Sequence, residues 1–307
     1  MPELSMTHRQ AVWVMVAATL MWSIAGVVTR HLEAARSFEL TFWRSAFNAL
    51  ALVVLLAWMR GPRAQWQQLR QGGRALWLSG ACWAVMFTAF MVALTLTTVA
   101  NVLVTMAIGP LLTALGTRIA LQHRLPARTW AAIALAGAGI AWMYGHEIRG
   151  GGLQHLLGTA VALLVPIAAA VNWTLLQHLK GQEKPPEMLS AVLLGALISA
   201  ALALPLAWPL QGSAHDVALL AGLGVVQLAI PCLMAVAAAR VLSGPEISLL
   251  GLLEVVFGVA WAWLGAGEAP GSAVLAGGGL VLLALVGNEL LGWRSSRGPR
   301  RGSAPAG

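Results

Sequence analysis

The stretch "GLLEVVFGVAWAW", residues 251–263, holds a single carboxylate, Glu254, in an otherwise uncharged run. What an acid can do there depends on the solvent around the run, and composition identifies that solvent. Of the 307 residues, 59% are hydrophobic and only 10% are charged. A soluble domain of this size carries about a quarter charged residues, so this chain cannot cover a water-facing surface. Its apolar residues arrive in long blocks, and a helix crossing a bilayer core needs roughly 20 of them. The chain reads as an all-α polytopic membrane protein.

Ten helices are predicted, at about 10–29, 38–59, 75–95, 99–120, 127–144, 158–179, 187–209, 217–238, 245–266 and 272–293. Helical spans satisfy their backbone polar groups internally, as hydrocarbon demands. The short alternating strands of a membrane β-barrel are not visible. "SIAG" at 23–26 resembles a signal cleavage site, but nine further spans follow it, so the first block is read as a span.

Charge placement sets the orientation. Arg9, Arg60, Arg63, Arg70, Arg74, Arg118, Arg124, Arg128, Lys180, Lys184, Arg240, Arg294, Arg297, Arg300 and Arg301 all fall on the N-terminal side of the predicted spans. Only Arg30, Arg36 and Arg149 fall on the other, and Arg44 lies within the second span. Fifteen against three is a positive-inside pattern that puts both termini in the cytoplasm. The net charge of +8 therefore reflects topology and not nucleic-acid binding. Residues 294–307 read as a disordered basic cytoplasmic tail within reach of anionic lipid headgroups.

Cys82 and Cys232 fall within spans without metal-ligand spacing and read as small packing residues. Trp13, Trp58, Trp77, Trp130, Trp142, Trp208 and Trp293 stand where interface anchors belong. Trp22, Trp43, Trp83, Trp173 and Trp261 are placed deeper.

The two halves are weakly alike. Trp22 pairs with Trp173 at an offset of 151, Glu39 with Glu187 at 148, and "LAW" at 56–58 with "LAW" at 206–208 at 150. The near-constant offset implies a repeat, with a first unit at 10–144 and a second at 158–293. After five crossings the second unit starts on the opposite side, so the repeats are inverted. Inverted repeats recur in secondary transporters, whose substrate site lies near the midplane between them.

Further residues carry a family resemblance: "LMWSIAG" in the first span, "TFWRSAFNAL" in the second, "TMAIGPLLTALG" in the fourth, and the ninth-span acid followed by "LGAGEAP". With very short 3–4 and 8–9 connections, these resemble the ten-helix EamA type of the drug/metabolite transporter superfamily over roughly residues 10–293. Within it, the chain is most similar to bacterial YddG-type amino-acid exporters. The resemblance implies a basket in which helices 1–4 and 6–9 enclose a cavity and helices 5 and 10 stand outside. It also implies export of small metabolites without ATP. The ninth span usually reads Glu-Pro in that family, whereas Val255 follows Glu254 here. That departure leaves the helix 9 kink open, while the kink in helix 4, at Pro110, stands.

Glu254 lies about ten residues from either end of its span, where an ionised acid costs at least ~2.5 kcal/mol unless relieved. Gly251, Glu254, Gly258 and Gly265 share one helical stripe, so a neighbouring backbone is expected to approach closely. Glu254 is either a buried bracket to a neighbouring helix or a cavity group that exchanges protons or meets a substrate amine. Arg44 either snorkels to the headgroups beside Glu39 or faces the cavity as a cation for a substrate carboxylate. The other candidate lining residues are Trp22, Trp83, Met86, Phe90, Asn101, Thr105, Asn172, Trp173 and Gln227. A wall of aromatics and Met with a few amides and hydroxyls suits several aromatic or apolar amino acids.

No GxxxxGK, HExxH or GxSxG motif occurs, so neither ATP hydrolysis nor protease or esterase chemistry is expected, and no cofactor or metal. The reading is a secondary transporter exporting amino acids or related metabolites, compatible with a monomer in the bilayer. A lipid-linked or nucleotide-linked metabolite flippase of the same fold stays open, with a membrane-embedded enzyme behind it.

Overall fold

The computed structural model describes residues 6–29, 31–34, 37–97, 99–122, 125–144, 152–183, 186–266 and 271–297. Every regular element among them is helical: α1 (His8–Trp22), α2 (Ala25–Thr29), α3 (Ser37–Arg60), α4 (Pro62–Gln71), α5 (Arg74–Leu96), α6 (Val99–Met106), α7 (Gly109–Ala120), α8 (Ala127–Tyr144), α9 (Leu153–Lys180), α10 (Leu189–Ala207), α11 (Ala214–Gly222), a π-helical stretch Leu223–Ala229, α12 (Ile230–Ala238), α13 (Gly244–Gly251), α14 (Leu253–Ala266) and α15 (Ser272–Arg297). Helix α15 continues to Arg297, past the boundary expected at 293, and residues 298–307 of the expected tail lie outside the described residues.

Six stretches are each long and apolar enough to cross a membrane: His8–Thr29, Phe38–Arg60, Arg74–Leu96, Leu153–Lys180, Leu189–Ala207 and Ala214–Ala238. The expected fourth and ninth spans are not continuous helices. Each is two short pieces, α6 with α7 and α13 with α14, and neither piece spans the roughly 30 Å hydrocarbon core by itself. The expected fifth and tenth spans are α8 and α15, which pack along one another. A Cβ placed on Gly139 of α8 would meet the Gly277 carbonyl oxygen at 2.6 Å. Only a missing side chain lets the two backbones come that close.

The breaks have local causes. At the end of α1, Ser23 Oγ donates back to the Leu20 carbonyl at 2.7 Å, and Ile24 N–H reaches only Met21, which tightens the turn. Pro110 opens α7 and has no N–H for the preceding turn. Pro231 likewise cannot bond the Gln227 carbonyl one turn back, and the chain around Gln227 widens into a π-helix. The chain is also interrupted between α13 and α14, where the sequence left a kink open and no proline stands. Leu252 N–H bonds Leu249 at 3.1 Å and Val255 N–H bonds Leu252 at 3.1 Å, so a tight three-residue turn after Gly251 takes the place of the kink.

Contacts at the helix ends fall into two sets. In one, His8 Nε2 lies 3.4 Å from Glu246 Oε1, and Glu187 pairs with Arg60 at 2.9 Å and with Arg240. Lys180 Nζ donates to the Val241 and Leu242 carbonyls at 2.9 and 3.1 Å, and Arg128 donates to the Leu291 carbonyl at 3.4 Å. In the other, Glu39 accepts from the Gln211 and Gly212 amides at 2.8–3.0 Å. Asp216 accepts from the Glu33 and Ala34 amides at 2.8 and 2.9 Å, and Thr97 Oγ1 meets His155 Nδ1 at 2.8 Å. Arg240 and Glu246, either side of the short connection between α12 and α13, thus both have partners. Trp13, Trp58, Trp77, Trp142 and Trp208 are exposed, up to 84% for Trp58, whereas Trp83 and Trp173 are buried.

Candidate functional site

Four of these irregularities meet around one interior cavity of about 160 Å³. Its wall includes Trp22 beside the α1 break, Gln227 and Leu228 in the π stretch, Gly109 and Pro110 opening α7, and Gly251, Leu252 and Glu254 at the α13–α14 turn. Non-helical backbone at membrane depth is tolerated where it borders a cavity or finds other partners. Both conditions hold at the α1 break. Gln227 Nε2 donates to the Trp22 carbonyl at 3.1 Å, and Trp261 Nε1 donates to Ser23 Oγ at 3.0 Å.

Eight of the residues singled out from sequence border this space: Trp22, Arg44, Trp83, Met86, Phe90, Trp173, Gln227 and Glu254. Asn172 does not. It is fully buried and accepts from Ser79 Oγ at 2.6 Å, joining α9 to α5. Thr105 is half-buried on α6 and is not among the lining residues. The side chain of Asn101 lies outside the described residues.

Arg44 is only 1% exposed, so it does not snorkel to the headgroups. Its former candidate partner Glu39 is engaged by Trp43 Nε1 and by the Gln211 and Gly212 amides. Arg44 Nη2 instead donates to the Phe87 carbonyl at 3.4 Å, and its guanidinium sits 5.8 Å from the Phe90 ring centroid, within cation–π range. Its Nε and Nη1 have no partner among the described residues. Glu254, in the first turn of α14, has no hydrogen bond or ion pair among them either. The positive end of the α14 dipole favours a negative charge at that point. The expected close approach along the glycine stripe is absent, since nothing lies within 4 Å of a Cβ on Gly251 or Gly258. The surroundings of Gly265 lie outside the described residues.

The apolar wall is built around Trp83, which meets Trp173 edge to face at 5.7 Å and Phe87 at 5.5 Å between centroids. Sequence reading missed Met15, Phe87, Leu103, Met106, Pro166 and Ser248, which also line the space. Phe87 was recoverable, one turn from Trp83 on the same face, and so was Met15, two turns before Trp22. Pro166 was not, because only packing brings it beside Gly109, 3.6 Å from a Cβ placed there. Helix α10 contributes nothing to the wall although the resemblance put helix 7 there. A Cβ on Gly195 of α10 would stand 2.3 Å from Trp83 Cβ, so α10 packs tightly behind α5.

Residues 9–145 match the EamA-like transporter family. The match spans somewhat less than half of the chain, and the six helices long and apolar enough to cross a membrane make this a multi-pass membrane protein. A solved crystal structure aligns with 93% of this chain and 99% of its own, at 18% identity and a TM-score of 0.72, which shows a shared fold extending well beyond the EamA-matched segment. No curated protein matches.

Proposed function

We propose that this chain is a secondary transporter exporting aromatic and apolar amino acids, or related small metabolites, across a bacterial inner membrane by alternating access. It makes ten crossings as two inverted five-helix repeats, 10–144 and 158–293, with both termini cytoplasmic. The carrying observation is the cavity itself, fed by helices of both halves and bordered by broken helices, two opposite charges and an aromatic and methionine wall. Such half-helix ends at the repeat interface are where transporters bind substrate.

Two further features support the arrangement. The end contacts sort as ten alternating crossings require. The starts of spans 1 and 9 meet, as do the ends of spans 2 and 8 with the start of span 7. The packing also respects an exchange of the halves: α5 against α9 is answered by α1 against α12, and α10 against α5 by α3 against the π stretch. In this reading Glu254 exchanges protons or meets a substrate amine, and Arg44 meets a carboxylate.

The test is flux into liposomes holding the purified protein. Saturable phenylalanine or leucine flux, absent from empty vesicles, is expected. Lipid scrambling without amino-acid flux would favour the flippase alternative. Equal pH dependence in wild type and Glu254→Gln would remove the proton role.

A further inference from the structure

We infer that the cavity holds its ligand as a zwitterion, with a carboxylate on Arg44 and Trp83 Nε1 and an ammonium on Glu254 and the Gln227 side-chain oxygen. This rests on the reading that the cavity is the substrate site, and it narrows that reading to one chemical class: α-amino acids with uncharged side chains.

Unused hydrogen-bonding capacity borders the cavity. Buried polar groups in proteins are nearly always partnered, and exceptions call for an explanation. Buried unpartnered atoms occur elsewhere, on Asn48 and Thr174 for example, but those residues do not border the cavity. Among the described residues that do, three side chains have such atoms: Arg44 Nε and Nη1, Trp83 Nε1 and Gln227 Oε1. The first two are donors and the third an acceptor. Glu254 adds a second acceptor without a hydrogen-bond partner among the described residues.

The donors come from α3 and α5, and the acceptors from the π stretch and α14. One acceptor and one donor are each held on their far side. Gln227 is fixed by the hydrogen bond its Nε2 donates to the Trp22 carbonyl, which leaves its side-chain oxygen as a lone acceptor. Arg44 is fixed by Phe87 and Phe90. Arg44 and Glu254 do not pair with each other, although both line one small space. Arg44 is buried and Glu254 half-buried, with no direct hydrogen bond between them, and a ligand carrying both opposite charges gives each a direct partner at once.

An amine alone leaves Arg44 uncompensated, and an acid alone leaves Glu254 so. The rest of the wall, which includes Trp22, Met86, Phe87, Phe90, Met106 and Trp173, adds no further charge, so a charged substrate side chain would find no partner.

The experiment measures binding of radiolabelled L-phenylalanine to the full-length protein in nanodiscs, with three unlabelled competitors: L-phenylalanine, phenethylamine and 3-phenylpropionate. The last two lack the carboxylate and the amine respectively. Each is expected to compete at least about 10-fold more weakly than L-phenylalanine, the loss of one hydrogen-bonded charge. Arg44→Gln should bring L-phenylalanine down to the level of phenethylamine while leaving phenethylamine unchanged. Glu254→Gln should do the same relative to 3-phenylpropionate. A merely structural role would weaken all three together.

Equal competition by all three in wild type overturns the zwitterion site while leaving amino-acid transport standing, and that comparison needs no variant to fold. Flux of other metabolites with no phenylalanine binding overturns both the amino-acid reading and this site.

Discussion

Gln227 holds the carbonyl of Trp22 at 3.1 Å from a π-helical stretch on the other half of the chain. The break after α1 frees carbonyls that hydrocarbon cannot solvate, and this side chain takes one of them. Gln227→Leu keeps the bulk and removes the donor. A loss of about 0.6–2 kcal/mol is expected, in line with interhelical hydrogen bonds in membranes, seen as a lower Tm in detergent. An unchanged Tm would mean that the break does not depend on this bond.

Gly224 and Gly258 make a contrasting pair. A Cβ on Gly224 would stand 2.7 Å from the Arg44 carbonyl oxygen and 2.8 Å from Asn48 N, both backbone atoms that cannot swing aside. Gly224→Ala should cost about 1–3 kcal/mol and shift the turn of α3 that carries Arg44. Gly258 has open space around it, and Ala there should leave stability unchanged or raise it by about 0.5–1 kcal/mol. Thermal unfolding of both variants decides, and the reverse order would refute the packing.

Glu187 ties the end of α3 to the end of α12 through Arg60 and Arg240. Burial by itself would raise its carboxyl, but the hydrogen bond and charge of Arg240, helped by Arg60, outweigh burial and hold it below the ordinary glutamate value. A carboxylate depressed in the folded state adds stability that is present above its unfolded value, about 4.3, and lost as pH falls through the folded one. The Tm gap between wild type and Glu187→Gln should therefore be full at neutral pH and close in acid below about pH 4. A gap that persists undiminished at pH 3 would assign the effect to packing.

Membrane orientation supplies a further check. Protease protection of tags placed before His8 and after Gly307 should find both ends on the cytoplasmic face, as the charge pattern requires. One tag on each face would leave an odd number of crossings and no inverted pair of five.

Much of the fold was legible because a bilayer imposes length and hydropathy on every span. The six long apolar spans fall where the blocks were read, and Trp13, Trp58 and Trp142 are exposed rather than packed inside. The site was legible where periodicity rules: Trp83, Met86 and Phe90 share a helix face in the sequence and the same cavity wall in space.

Other features depend on partners far away in the chain. Asn172 is claimed by Ser79, and nothing near it in sequence announces that bond. The turn at Leu252 forms without the proline that would have flagged it. Glycine spacing alone could not tell a tight helix crossing, as at Gly224, from open space, as at Gly258.

The sequence by itself determined that the chain is an all-helical membrane protein and which residue types stand deep in its spans, because hydrocarbon penalises each charge and unpaired amide locally, residue by residue. Only the tertiary structure decided that Arg44 and Glu254 border one small space without pairing. That outcome depends on how separate helices break and pack against each other, and packing is set by contacts no single span contains.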